Sequence, residues 1–88
     1  MTATPGSAGR EESALGIIAR MSGRERGQIE PGLDLVGDLG FDSLKAFELV
    51  VELEEALGLE LAEADIQPIH TVGDVLRALE NARPADGT

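Results

Sequence analysis

From Ser43 to Leu57 the chain runs without a glycine or proline, bounded by Asp42 on one side and Gly58 on the other, and this stretch limits the fold more than any other. Asp42 and Gly58 are a favoured helix start and a favoured helix stop, and the residues between them tolerate a helix throughout. On a wheel at about 100° per residue, Ala46, Leu49, Val50, Leu53 and Leu57 fall within about 100° of each other, wide enough to face a core. Leu44, Phe47 and Val51 fall on another side, flanked by Glu48, Glu54 and Glu55. A helix with one broad apolar stripe needs partners. The second, narrower strip among acids is either covered by a short neighbouring element or forms a docking face for a basic, partly apolar partner.

Further helical periods supply the partners. Ala14, Leu15, Ile17, Ile18 and Met21 make one stripe that stops at Gly23, and a short piece around 62–67 is closed by Pro68. A last helix opens at Thr71, where Asp74 three residues on matches a capping box, and continues through Val72, Val75, Leu76 and Leu79. Four helices of unequal length are implied. The intervening segment from Gly23 to Asp42 is long for a loop, so it needs its own packing or a function. Ile29, Leu33, Leu35, Val36, Leu39 and Phe41 are candidates to pin it over the helices, with turns at Glu30-Pro31-Gly32 and at Gly37 and Gly40.

At 88 residues there is room for one small domain and not for a deep enzyme cleft. Residues 1–9 and 83–88 are small and polar and are expected to be flexible tails around a folded unit at 10–82. The core must be aliphatic, because Phe41 and Phe47 are the only aromatics, and the absence of cysteine excludes disulfides and thiolate chemistry. The opening MTATPGSAGREES has no apolar run and carries glutamates, so neither a signal nor a transit peptide is expected. No membrane insertion and a cytoplasmic location are expected as well. Lys and Arg number 7 against 17 Asp and Glu, a formal net charge of -10. Such a surface repels nucleic acid and attracts basic partners over about a Debye length, or simply keeps the chain soluble.

Ser43 stands at the start of the clearest helix, next to a second good capping residue. Capping explains one of the two. If Asp42 is the cap, Ser43 occupies the first turn with its hydroxyl toward solvent, where the positive end of the helix dipole and the free amides favour a phosphate ester.

The string Asp38-Leu39-Gly40-Phe41-Asp42-Ser43-Leu44, followed by Glu48-Leu49-Val50 and Leu53-Glu54, resembles an acyl carrier protein of the phosphopantetheine-dependent kind. The resemblance extends from about Glu11 to Ala82. It implies an all-α, antiparallel four-helix bundle with three longer helices, a short third one and a long loop between the first two. It implies that Ser43 accepts 4'-phosphopantetheine from coenzyme A, and that the arm's thiol, not a side chain of this protein, holds acyl groups as thioesters. Asp42, Leu44, Phe47, Glu48, Val51, Glu54 and Glu55 match positions where such carriers meet their enzymes. The expected partners are a phosphopantetheinyl transferase and acyltransferase- or ketosynthase-type enzymes with basic docking faces. A monomer without catalytic activity of its own is expected, serving polyketide, fatty-acid or related lipid synthesis.

Two residues depart from the pattern. Phe41 stands where these carriers more often have a small residue, and Lys45 is a cation where fatty-acid carriers are often acidic. A peptidyl or aminoacyl carrier of nonribosomal synthesis is the alternative, disfavoured by Gly40-Phe41 in place of Gly-Gly. A helical interaction module that carries no cofactor is the alternative of another class. A hydrolase is excluded by the missing Gly-x-Ser-x-Gly, and His70 reads as an ordinary surface or hinge residue. Asp34, Asp38 and Asp42 recur every fourth residue, which is not the spacing of a calcium loop, and no metal site is expected.

Overall fold

The computed structural model describes residues 7–85. Four helices, α1 (Ser7–Ser22), α2 (Ser43–Leu57), α3 (Glu63–Ile66) and α4 (Val72–Glu80), surround one core that is aliphatic except for Phe41. Leu59–Glu60 (β1) and Arg83–Pro84 (β2) form a small antiparallel pair. α1 packs on both α2 and α4, and α3 rests on α4. No helix of the described residues is long and apolar enough to cross a membrane.

Each helix ends where its sequence permits. After α1, Gly23 takes a left-handed conformation (φ 74°), so that its amide reaches the carbonyl of Arg20 and the amide of Arg24 that of Ala19, a Schellman ending. α2 closes with the simpler left-handed motif, in which Gly58 (φ 64°) donates to the carbonyl of Glu54. α4 opens with the expected capping box: Asp74 N donates to Thr71 Oγ1 at 3.1 Å, and Thr71 N to Asp74 Oδ2 at 3.0 Å.

The long segment between α1 and α2 is structured. It holds one 3-10 turn at Arg26–Gln28 and inserts Ile29, Leu35, Leu39 and Phe41 into the core. The aspartates that recur every fourth residue tie its tight turn: Asp34 Oδ2 accepts from Gly37 N at 2.6 Å, and Asp38 Oδ2 from Asp34 N at 2.7 Å. The same segment then closes over the start of α4. Val72 N donates to Leu33 O at 2.9 Å, Gly73 N to Pro31 O at 2.8 Å and Leu35 N to His70 O at 2.9 Å. A β-carbon on Gly73 would lie 3.2 Å from that Pro31 oxygen, which accounts for a glycine inside this helix.

Three expectations need correction. Val36 does not pin the loop but is 64% exposed, because the Asp34–Asp38 turn carries it outward between the buried Leu35 and Leu39. The folded unit also extends beyond 10–82. α1 begins at Ser7, and Arg83–Pro84 leaves the expected tail to pair with β1, where Ala85 N donates to Gly58 O at 2.8 Å. Residues 1–6 and 86–88 of the expected tails lie outside the described residues.

Candidate functional site

α2 presents its broad stripe to the core, with Leu49, Val50 and Leu53 buried and Ala46 and Leu57 half-buried. The narrow strip faces the other way. Leu44 and Phe47 are each 66% exposed and Val51 is half-buried, so α3 does not cover them.

At the head of α2 the two capping candidates divide the work. Asp42 is the N-cap, its Oδ1 accepting from Lys45 N at 2.8 Å while its carbonyl accepts from Ala46 N. Ser43 is therefore released from capping and is exposed in the first turn. The amides of Ser43 and Leu44 have no acceptor among the described residues. The contrast with α4 is informative, since there the loop carbonyls of Leu33 and Pro31 occupy the first amides. A helix terminus whose first amides have no protein acceptor carries a partial positive charge and suits an esterified anion.

A cavity of about 400 Å³ opens beside Ser43 and runs between α2 and the segment holding α3. Val36, Phe47 and His70 stand with Ser43 among its lining residues, and Leu49, Val50, Leu53, Leu61, Ile66 and Val75 form apolar wall. Its volume is in the usual range for a small-molecule site, about 300–1,000 Å³. Val36 is the residue sequence reasoning assigned elsewhere. Its place beside Ser43 follows from the turn made by Asp34 and Asp38, which periodicity does not register.

The candidate docking residues are not equivalent. Asp42, Leu44, Phe47, Glu48 and Glu55 are exposed, whereas Glu54 turns its Oε2 to the amide of Leu61 at 2.9 Å and ties α2 to the chain beyond β1. Glu52 pairs with Arg20 of α1 at 3.0 Å. His70 is exposed, and its backbone amide donates to Asp74 Oδ2 at 2.9 Å. That bond and the one from Thr71 N are the main causes holding the Asp74 carboxyl below its ordinary 3.8; the Thr71 hydroxyl and Arg77 add to them, and partial burial opposes them. No group of three or more metal-ligating side chains is gathered among the described residues.

Residues 12–79 match the family model described as the phosphopantetheine attachment site. Among solved structures, a Mycobacterium tuberculosis protein described as an acyl carrier protein shares 42% identity with a TM-score of 0.74, covering 82% of this chain and 96% of that one. The acyl carrier protein of Enterococcus faecalis shares 28% identity with a TM-score of 0.72, over 88% of this chain and 99% of its own. The four-helix fold, the match over most of the chain and the mycobacterial relative agree: the chain belongs to the acyl carrier protein family, whose members carry a 4'-phosphopantetheine arm and have no catalytic activity of their own.

Proposed function

We propose that Ser43 is the attachment point of the arm and that the protein delivers acyl intermediates, held there as thioesters, to enzymes of polyketide, fatty-acid or related lipid synthesis in the cytoplasm. The observation that carries this reading is the position of an exposed serine, freed from capping by Asp42, at the mouth of an apolar cavity. The donor set fits the group. The amides of Ser43 and Leu44, which have no protein acceptor among the described residues, suit its phosphate, and the aliphatic walls suit an acyl chain.

In the loading reaction Ser43 Oγ forms the new bond to phosphorus as the pyrophosphate bond of coenzyme A breaks. The adenosine 3',5'-bisphosphate half leaves, and the serine proton passes to a base of the transferase. Asp42 orients the helix head during this step and keeps its backbone rigid, while Ser43 stays accessible. When bound, the arm supplies the thiol that holds the acyl group. Its length and flexibility let one carrier visit several active sites at high effective concentration. Leu44, Phe47 and Val51, with Glu48 and Glu55 beside them, give partners an apolar contact and electrostatic steering. An acyl cargo is favoured over an aminoacyl one by the lining, which is apolar over most of its residues and has Asp34 as its one carboxylate.

Incubation with coenzyme A and a broad-specificity phosphopantetheinyl transferase, followed by intact mass spectrometry, tests the reading. One arm's mass is expected on the wild-type chain and none on Ser43→Ala. A wild-type chain that gains no mass with several transferases refutes it in favour of a cofactor-free interaction module.

A further inference from the structure

Lys45 breaks a local rule. It stands in the first turn of α2, where the helix dipole disfavours a cation, and it is the only basic residue of that helix. The side chain is held in place: its Nζ lies over the Phe41 ring, 5.7 Å from the centroid, and Phe41 itself is buried in the core. Phe41 thus acts as a pedestal for a charge placed against the helix's own preference. Sites that violate local consistency while being supported from elsewhere are where function is to be sought.

The place of Lys45 on the helix shows what the charge faces. Ser43 opens toward the apolar cavity, but Lys45 lines a shallow groove on the other flank of α2, together with Phe47, Glu48, Val51, Glu52 and Glu55. Lys45, Glu48, Glu52 and Glu55 follow helical spacing and form a single stripe about 15 Å long. Glu52 is partnered by Arg20. The stripe is therefore positive at Lys45, next to the Asp42 cap, and negative at Glu48 and Glu55, with Arg20 offsetting Glu52, while Met21, Phe47 and Val51 supply the apolar part of the groove's lining.

We propose that Lys45 is a specificity-determining residue of this docking face. It selects enzymes that offer a carboxylate to the Ser43 end of α2 and basic groups to Glu48 and Glu55, and it penalises enzymes whose face is basic throughout. The inference rests on the carrier reading above and adds the polarity of the partner to it. A charge pattern with two signs along one axis fixes register as well as attraction, because a partner shifted or reversed along α2 meets like charges.

The test measures kcat/KM for loading by a broad-specificity transferase with a uniformly basic docking face, using wild type, Lys45→Met and Lys45→Glu. Methionine keeps an apolar stem over Phe41 and removes only the charge, and thermal melts confirm that all three chains are folded. One unit charge at such range is worth about threefold, so roughly threefold faster loading is expected for Lys45→Met and up to about tenfold for Lys45→Glu. Both gains should collapse at about 0.5 M salt. Transferase variants with single docking-face bases changed to Glu should include one that restores the wild-type carrier but not Lys45→Glu. Equal loading of all three chains at low salt, or slower loading of the variants, overturns the role of Lys45 while leaving Ser43 as the attachment point. Absence of loading in wild type overturns both.

Discussion

Asp74→Ala probes the joint between the long loop and α4. The Asp74 carboxylate accepts from His70 N at 2.9 Å, Thr71 N at 3.0 Å and Arg77 at 3.1 Å, and the side chain is 25% exposed. Losing the reciprocal bond leaves the half-buried Thr71 amide without its acceptor, at about 1 kcal/mol, and losing the charged acceptor of the His70 amide adds about 1 kcal/mol more. The exposed pair with Arg77 adds little. The sum, about 2 kcal/mol, lowers the melting temperature of a chain this size by about 8–16 °C. The assay is thermal unfolding followed by circular dichroism, from neutral to acid pH. Because folding lowers the Asp74 pKa from 3.8, its contribution is fully present above that value and is lost as the pH falls through the lower folded value. The gap between wild type and Asp74→Ala should therefore be constant from neutral pH to about pH 5 and narrow below 3.8. A gap under about 0.5 kcal/mol at neutral pH, or one that persists undiminished at strongly acid pH, would refute the reasoning.

The remaining predictions separate residues that hold the fold from those proposed to meet partners. Gly58→Ala should cost about 1 kcal/mol in urea unfolding without changing the loading rate, since its φ of 64° is strained for alanine although no atom stands within 4 Å of the added carbon. Glu54→Ala should lose about 1 kcal/mol because the Leu61 amide loses its acceptor, whereas Glu55→Ala should leave stability within about 0.5 kcal/mol and reduce the salt dependence of loading. Phe47→Ala should leave the melting temperature nearly unchanged, as the ring is 66% exposed, and raise KM for the transferase. Leu53→Ala, at 1% exposure, should cost about 2–5 kcal/mol, and urea denaturation distinguishes the two classes directly.

What is legible in the sequence is whatever depends on near neighbours in the chain. The bounds of α2, the stop at Gly23 and the Thr71–Asp74 box are local: each needs only residues within one turn to satisfy its backbone groups. The family string around Ser43 is likewise contiguous. What resisted reading depends on approach between distant segments. Neither the exposure of Val36 nor the inward turn of Glu54 has a periodic signature, and the pairing of Arg83–Pro84 with Leu59–Glu60 joins residues that composition alone assigns to a core segment and a tail. Phe41 and Lys45 each stand out in the sequence, but only the fold puts the Lys45 ammonium over the Phe41 ring.

The small clasp between Leu59–Glu60 and Arg83–Pro84 also decides where a handle can be attached. It fastens the segment around Ala85 beside Gly58, at the opposite pole of α2 from Ser43, about 22 Å away along a 15-residue helix. A surface anchor or fluorescent reporter attached at Ala85 would therefore start from the pole of α2 away from Ser43, the proposed attachment point.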